Sequence, residues 1–368
     1  MKSKTSAVNP QPSTPGAQPT AKAQYEKPPE LYDGLRLHQN ENTGGCSPRV
    51  IEALARLRPD QISFYPPYTA VTNDCAGYFG VSPESVVLVN GLDEGIMAVS
   101  VAYLRTTGSG LVPEAIIPEP AFEIFHFDTA VAGGRVVSVP PKKDFRFAEA
   151  DVLAAITSET RVVFLTNPNN PTGVPVPFEA IRTIAGAVPK DAVVFVDEAY
   201  AEFAGRSFIP ELPSFPNVIV GRTFSKAYGL AALRIGALVG APAVLDPVRY
   251  AIPVYSVNIA AAVALQAALA DTDYLRDYLR QVKESKQLLY AACDRLGLTY
   301  WPSDANFVLV RIGDRIAEVI DGARERGVYL RNRSTEPGCE GCLRIATGIV
   351  EHTQRGIDVI EEVLCGAA

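Results

Sequence analysis

Short apolar runs alternate with segments of helical periodicity between residues 86 and 240, and this alternation is the main feature of the chain. Continuous apolar runs such as VVFLT and AVVFVD are typical of strands that are covered on both faces. Strands that alternate with helices predict an α/β fold, with a three-layer, mostly parallel sheet. The predicted strands are Val86–Asn90, Ala115–Ile117, Arg135–Val139, Arg161–Thr166, Ala192–Asp197, Asn217–Thr223 and Leu238–Gly240.

The pattern changes after residue 270. Residues 271–296 show one long amphipathic pattern, which predicts a single helix. Short strands are then predicted at Asn306–Arg311, Val328–Arg331 and Leu343–Thr347, with a helix between the first two and another at the C-terminus. This part of the chain is therefore expected to form a second, smaller α+β unit. The first thirty residues contain six prolines among polar residues, and this composition predicts a disordered tail over residues 1–30.

Composition and charge exclude several classes of protein. The chain carries 34 Lys and Arg against 41 Asp and Glu, a net charge of -7, which argues against nucleic acid as a partner. The apolar stretch from Ala251 to Ala270 contains Pro253 and Asn258, so a buried helix is expected there and no membrane span. The tail lacks the apolar segment of a secretory signal, and together these features predict a cytoplasmic protein.

The six cysteines are predicted to be reduced thiols, because disulfide frameworks belong to short secreted domains. Cys339 and Cys342 have the C-x-x-C spacing of some zinc and redox sites. A structural zinc site would need a second pair or nearby histidines, and the chain has three histidines in all. A turn that contains two thiols is the favoured interpretation, and no metal is predicted.

Polar, sharply turning sequences follow four of the predicted strands. In a mostly parallel sheet, ligands bind beyond the carboxyl ends of the strands, so these four segments are expected to meet at one site. They are NGLDEG (Asn90–Gly95), NPNNPTG (Asn167–Gly173), DEAY (Asp197–Tyr200) and TFSKAYGLAALRIG (Thr223–Gly236).

The residue types in these segments suit one cofactor, pyridoxal phosphate. A lysine in a desolvated turn has a lowered pKa and can form a Schiff base, and Lys226 has that position. An acid at a strand end, such as Asp197, keeps a pyridinium nitrogen protonated. Asn170 and Tyr200 can bind a phenolate oxygen. A hydroxyl, an arginine and a helix N-terminus form a phosphate site, here Ser225, Arg234 and Gly91–Asp93.

These motifs, in this order and spacing, resemble the fold-type-I pyridoxal-phosphate aminotransferases of class I/II. Within that family, four segments are most similar to the histidinol-phosphate aminotransferases: NENTGG (Asn40–Gly45), FYPPY (Phe64–Tyr68), NGLDEG (Asn90–Gly95) and GCLRIATG (Gly341–Gly348). The resemblance covers roughly residues 35–363. It implies an aspartate-aminotransferase-like large domain over residues 61–270 and a small domain over 271–368. An N-terminal segment, residues 31–60, is then expected to pack with the small domain.

The resemblance also implies a role for individual residues. Lys226 is the catalytic lysine, which forms the Schiff base and carries the proton. The residues that bind the cofactor are Leu92, Asp93, Phe122, Asn170, Asp197, Tyr200, Ser225, Lys226 and Arg234, and Tyr65 contacts the cofactor of the neighbouring subunit in a homodimer. The residues that bind the substrate are Arg344, Arg331 and Asn42, although Asn40 and Asn42 are equally suited to shape a turn.

The substrate is less well defined than the cofactor. Thr43 and Ala232 stand where the family commonly has proline and glycine, and neither Tyr25 nor Tyr32 aligns with the family's upstream phosphate-binding tyrosine. Two arginines favour a dianionic donor, and hence transfer from histidinol phosphate to 2-oxoglutarate. An aromatic or broad-specificity aminotransferase and a phosphothreonine-type decarboxylase are the alternatives. A regulator that senses pyridoxal phosphate would need an additional DNA-binding domain, for which the tail is too short.

Overall fold

The computed structural model describes residues 33–105 and 111–366; the predicted tail, Tyr25 and Tyr32 lie outside them. The strands are β1 Leu35–Arg36, β2 Val86–Val89, β3 Glu114–Pro118, β4 Arg135–Val139, β5 Thr160–Thr166, β6 Val193–Asp197, β7 Val218–Thr223, β8 Gly236–Gly240, β9 Thr299–Trp301, β10 Phe307–Arg311, β11 Val328–Tyr329, β12 Arg331–Asn332 and β13 Cys342–Ala346. The α-helices are α1 Pro48–Ala55, α2 Pro59–Ser63, α3 Thr69–Phe79, α4 Leu92–Leu104, α5 Ile124–Ala132, α6 Glu149–Ala155, α7 Phe178–Ala187, α8 Ala201–Ala204, α9 Pro242–Arg249, α10 Ile259–Leu269, α11 Thr272–Leu296, α12 Ile316–Glu325 and α13 Val350–Cys365.

A seven-stranded sheet in the order β2-β8-β7-β6-β5-β3-β4 forms the centre of the larger unit. Only β8 runs against its neighbours, so the sheet is mostly parallel, as predicted. Successive residues of β5 face opposite sides. Phe164 packs with Phe125 of α5, whereas Leu165 packs with Ile184 of α7. Because helices cover both faces, the three-layer α/β architecture is confirmed, and the seven predicted strands are present with small changes at their ends.

A second sheet, β12-β13-β10-β9, is antiparallel and belongs to the smaller unit. Two details differ from the sequence prediction. Val328–Arg331 was expected as one strand, but Leu330 separates β11, which pairs with β1, from β12, which pairs with β13. Strand β9 was not predicted, because three residues are too few to show a period.

The long helix α11 begins and ends close to the predicted residues. The side chain of Asp271 accepts a hydrogen bond from the backbone N–H of Tyr274 and caps the first turn. Gly297 follows the last turn with a φ of 66°, a conformation that favours glycine. Of the apolar stretch from Ala251 to Ala270, the 11 residues of α10 are helical. Among the described residues, no helix is both long enough and apolar enough to span a bilayer.

The N-terminal segment contacts both units. Strand β1 pairs in parallel with β11, and Leu37 lies in the apolar core of the smaller unit. Helix α1, in contrast, contributes Val50 to a core that contains Ala261 and Leu265 of α10. The segment therefore links the two units next to the carboxyl ends of the central strands.

Candidate active site

The carboxyl ends of the central strands and the smaller sheet enclose a cavity of about 510 Å³. Most of the residues that the sequence singled out line this cavity together. They are Leu92, Asp93, Phe122, Asn170, Asp197, Tyr200, Ser225, Lys226, Arg234, Arg331 and Arg344. The expectation that four separate strand ends meet at one site is therefore correct in geometric terms. Asn42 and Tyr65 are not among the lining residues.

Lys226 lies in the turn after β7, with its amine directed into the cavity wall. Its Nζ donates a hydrogen bond to the backbone carbonyl of Gln39 over 2.9 Å. Burial, together with the charge of the nearby Arg344, lowers the pKa of this amine to about 8, while Glu41 and Asp93 oppose the shift. A substantial fraction of the amine is therefore neutral and nucleophilic near neutral pH, unlike that of a surface lysine.

Asp197 is the last residue of β6 and is only 4% exposed. Its Oδ1 accepts a hydrogen bond from the backbone N–H of Ala199 over 2.9 Å. Burial raises the pKa of the carboxyl to about 7, with the Ala199 N–H and Lys226 opposing and the charges of Asp93 and Glu198 adding to the rise. A buried acid with this pKa has no strong cationic partner, so the position favours a ligand that brings a positively charged N–H group.

Tyr200 and Asn170 form the floor of the cavity beside Asp197. The hydroxyl of Tyr200 accepts a hydrogen bond from Nδ2 of Asn40 over 3.0 Å. Oδ1 of Asn170 accepts one from Nη1 of Arg344 over 2.5 Å. Asn170 therefore holds the arginine of the smaller sheet against the larger unit, a contact that the motif NPNNPTG does not reveal. Asn40, for which the sequence left a turn-shaping and a functional role open, has a φ of 57° and also fixes the tyrosine.

One end of the cavity has the features of an anion site. Gly91 precedes α4 with a φ of 78°, and the first backbone N–H groups of this helix have no partner within the helix. A Cβ atom at Gly91 would overlap the guanidinium of Arg234 and displace it, and the positive φ also favours glycine there. Nη2 of Arg234 lies 2.9 Å from Oδ2 of Asp93, and the Ser225 hydroxyl completes the set.

Arginines of the smaller unit also line the cavity. Arg331 and Arg344 face each other across the β12–β13 ladder, and Arg344 is 5% exposed. Nη2 of Arg344 donates to the backbone carbonyl of His38 over 2.7 Å, but its Nε has no hydrogen-bond partner among the described residues. Burial lowers the pKa of Arg344 to about 9, and the charges of Arg333 and Arg331 add to this. An anionic ligand would offset both the cost of burying the Arg344 charge and its repulsion by Arg333 and Arg331.

Several lining residues were missed by the sequence analysis: Arg36, His38, Glu123 and Arg333. Arg333 is two residues after Arg331, and side chains two apart on a strand face the same side. The spacing of Arg331 and Arg333 could therefore have indicated from the sequence that Arg333 faces the cavity. The others come from segments without a recognisable motif. His38 is buried beside arginines, and burial and these charges lower the pKa of its ring to about 4, so it stays neutral.

Two predicted residues lie outside the cavity. The side chain of Asn42 donates to the carbonyl of Ala227 over 3.0 Å and accepts from the N–H of Gly44 over 2.9 Å. It therefore fixes the loop beside Lys226, as in the turn-shaping alternative, and its contact with substrate stays a prediction. Tyr65 is 75% exposed and stacks on Tyr255 with 4.2 Å between ring centroids. Its contact with a neighbouring subunit stays a prediction.

Comparison with known proteins identifies the family. Residues 32–360 match the family model for aminotransferases of class I and II. The chain belongs to this family. Histidinol-phosphate aminotransferase from Symbiobacterium thermophilum is 35% identical to it over 338 residues, which is 91% of each chain. The expected family is thus confirmed.

Solved structures agree with the fold. The structure of histidinol-phosphate aminotransferase from Sinorhizobium meliloti in complex with pyridoxal-5'-phosphate has a TM-score of 0.82 and 28% identity, and the match covers 91% of this chain and 92% of that one. Aspartate aminotransferase from Thermus thermophilus with maleate has a TM-score of 0.74 and 24% identity, over 90% and 92% of the two chains. The aspartate-aminotransferase-like fold is therefore also confirmed.

The two unusual residues of this aminotransferase have simple structural explanations. Oγ1 of Thr43 accepts a hydrogen bond from the backbone N–H of Ile349 over 3.0 Å, which a proline at this position could not do. Thr43 also packs so closely on Gly348 that a Cβ atom there would overlap it. Ala232 lines the cavity next to Arg234 and leaves the guanidinium in position.

Proposed function

We propose that this chain is a pyridoxal-phosphate-dependent aminotransferase that transfers the amino group of histidinol phosphate to 2-oxoglutarate. The observation that carries the proposal is one cavity lined by a lysine of lowered pKa, a buried acid, an arginine and a helix N-terminus that form an anion site, and further arginines. The names of the similar proteins from Symbiobacterium thermophilum and Sinorhizobium meliloti support the choice of substrate.

The residues present fit pyridoxal phosphate at each of its polar groups. Asp197, whose pKa lies near 7 without a cationic partner, suits the ring nitrogen. Tyr200 suits the ring oxygen, and Phe122 the ring face. Ser225, Arg234 and the backbone of Leu92 and Asp93 suit the phosphate, because a guanidinium, a hydroxyl and a helix N-terminus converge there. When bound, pyridoxal phosphate supplies an aldehyde for the amine and a ring that accepts electrons.

The chain's own residues supply nucleophile, base and orientation. A Lys226 amine with a pKa of about 8 is neutral often enough to attack a carbonyl, and it can afterwards accept and return the proton of the substrate's α-carbon. An ionised Asp197 stabilises a positive charge on the ring nitrogen, and this charge increases the acidity of that proton. Arg344, held by Asn170 and by the carbonyl of His38, fixes the substrate's anionic group relative to the amine.

The choice of amino donor rests on Arg331 and Arg344. Two guanidinium groups match a phosphate dianion better than a single carboxylate. Purified enzyme should be mixed with one donor at a time, and loss of the cofactor's visible absorbance recorded. We expect histidinol phosphate to react far faster than phenylalanine, tyrosine or histidine. Equal rates would favour an aromatic or broad-specificity enzyme, and release of carbon dioxide would indicate a phosphothreonine-type decarboxylase.

Variants of the two arginines test the same point. We expect Arg331→Ala and Arg344→Ala both to slow turnover of histidinol phosphate, because each removes a cation from the same end of the cavity. The assignment fails if Arg331→Ala leaves this turnover unchanged while Arg344→Ala abolishes it. Phenylalanine serves as the control donor, since its neutral side chain has no need of the second arginine.

We also propose a cytoplasmic homodimer in which Tyr65 of one subunit reaches the cofactor phosphate of the other. Phe64, Tyr65, Tyr250 and Tyr255 are all more than half exposed, and an apolar surface of this kind favours burial against a second copy. The large domain would comprise residues 61–270 and the small domain 271–368, with residues 31–60 joined to the latter. Light scattering of the purified enzyme tests the dimer, and a monomer at micromolar concentration would contradict it.

A further inference from the structure

Arg333 lines the same cavity as Arg331 and Arg344, although no motif marked it. It follows β12, and its backbone N–H donates to the carbonyl of Cys342 over 2.9 Å, which fixes the residue beside β13. The side chain is 6% exposed. A guanidinium this deeply buried is normally fully paired, so its partners indicate whether it is structural or able to bind a ligand.

The partners of Arg333 are two carboxylates on one of its nitrogens. Nη1 lies 3.3 Å from Oε1 of Glu123 and 3.4 Å from Oε1 of Glu336. Nε has no hydrogen-bond partner within residues 33–105 and 111–366. Both contacts are long for a charge-assisted hydrogen bond, which is normally 2.7–2.9 Å. Arg333 is therefore held in the cavity wall without having its hydrogen-bonding capacity filled.

Glu123 and Glu336 differ in position. Glu336 is on the same turn as Arg333 and is almost buried, with a side chain that is 10% exposed. Glu123 belongs to the larger unit, immediately before α5 and next to Phe122, and its side chain is 33% exposed and lines the cavity. The contact between Glu123 and Arg333 therefore joins the two units in the wall of the cavity.

We propose that Arg333 is a third substrate-binding arginine, and that Glu123 occupies it until the anionic end of a substrate replaces it. The inference rests on the proposed function, since it concerns the distal anionic group of the amino donor. Arg331, Arg333 and Arg344 then converge on that group, while Glu336 stays with Arg333 and keeps it in position. Glu123 is a positioning residue, because it acts through Arg333.

Electrostatic attraction favours replacement of Glu123 by a substrate anion at Arg333. Glu123 gives the buried guanidinium a second carboxylate partner, beside Glu336, when the cavity holds no substrate. A phosphate dianion attracts the guanidinium more strongly than one partly exposed carboxylate does, so it displaces Glu123. A donor without an anionic end leaves the pair intact and gains nothing from Arg333. The pair thus adds selectivity for anionic donors at the expense of some affinity.

Arg333→Met tests the first half of the proposal. The enzyme, loaded with pyridoxal phosphate, is assayed with histidinol phosphate and with histidinol, which differ only by the phosphoryl group. We expect kcat/KM for histidinol phosphate to fall about 10- to 100-fold, as for loss of one charge-assisted contact. The value for histidinol should stay within about twofold of wild type. Arg333→Lys keeps the charge but loses the planar guanidinium, so its kcat/KM for histidinol phosphate should lie between those of Arg333→Met and wild type.

Inorganic phosphate supplies a readout that does not depend on the physiological donor. Its inhibition constant is measured with any amino donor that the wild-type enzyme accepts. We expect Arg333→Met to raise this constant at least about tenfold and Glu123→Gln to lower it several-fold, because the competing carboxylate is gone. Arg295→Met is the control, since Arg295 forms an exposed ion pair with Glu361 far from the cavity and should behave as wild type.

Two results would overturn the inference. Equal losses with histidinol phosphate and histidinol in Arg333→Met would mean that Arg333 only joins the two units. An unchanged phosphate inhibition constant in both Arg333→Met and Glu123→Gln would mean that no anion reaches the residue. Failure of wild-type enzyme to use histidinol phosphate would instead refute the proposed function, and the phosphate inhibition would still decide the role of Arg333.

Discussion

Replacing Asp197 by asparagine separates what this residue does for the fold from what it does for the cofactor. In the folded chain, burial raises the pKa of the carboxyl from 3.8 to about 7. The folded state therefore binds the proton more tightly than the unfolded state, and wild-type stability falls as the pH rises from about 4 to 7. A shift of this size corresponds to about 4 kcal/mol above pH 7.

Asparagine removes the charge and keeps the shape. Its carbonyl can still accept the hydrogen bond from Ala199, and its amide can bind water in the cavity. We therefore expect cofactor-free Asp197→Asn to be more stable than wild type by about 2–4 kcal/mol at pH 8 and equally stable near pH 4. With pyridoxal phosphate the order reverses, because loss of one partner of a buried ion pair lowers cofactor affinity by at least about 100-fold.

Urea unfolding of cofactor-free protein at pH values from 4.5 to 8 measures the first effect, and fluorescence titration with the cofactor measures the second. Asp191→Asn is the matched control, since Asp191 is an exposed carboxylate paired with Arg161, and a change below about 0.5 kcal/mol is expected. A stability difference between Asp197→Asn and wild type that is the same at pH 4.5 and pH 8 would refute the reasoning.

Two further predictions concern the cofactor side of the cavity. Gly91→Ala should lower cofactor affinity at least about tenfold with little loss of helix content, because the new Cβ displaces the Arg234 guanidinium and the φ of 78° disfavours alanine. A fluorescence titration with the cofactor measures this, and an affinity equal to that of wild type would contradict it. The rate of cofactor uptake should rise about tenfold per pH unit up to about pH 8 and then level off, because the neutral Lys226 amine is the reacting form. Stopped-flow absorbance measures this rate, and a rate that is the same at pH 6 and pH 8 would contradict the prediction.

The sequence predicted the architecture well where the period was long or the apolar run continuous. Strands β5 and β6 are apolar on both faces, and a run of this kind has few alternatives in a chain that also contains helical periods. The rule that ligands bind at the carboxyl ends of parallel strands then brought Asn170, Asp197 and Lys226 together without any knowledge of the structure. The resemblance added Phe122 and the arginines of the small sheet.

The parts that were missed depend on contacts between distant segments. Strand β12 has two residues, so its separation from β11 is decided by pairing with β13 and not by local pattern. Asn42 turns toward Ala227 because the loop before α1 packs beside the Lys226 turn, 184 residues later in the chain. The hydrophobic pattern of one segment does not show which distant segment it contacts. Side-chain partners were therefore less predictable than strand ends.

The electrostatics of the cavity indicate how a ligand must be oriented in it. Asp197 is a buried acid whose pKa is raised, and Arg344 is a buried base whose pKa is lowered, so each lacks the opposite charge. Arg344 is held instead by Oδ1 of Asn170 and by the carbonyl of His38. We therefore expect a cationic ring nitrogen at Asp197 and an anionic substrate group at Arg344, and the Lys226 amine lines the same cavity. On this expectation, a cofactor and a substrate of opposite local charge supply the charges that Asp197 and Arg344 lack.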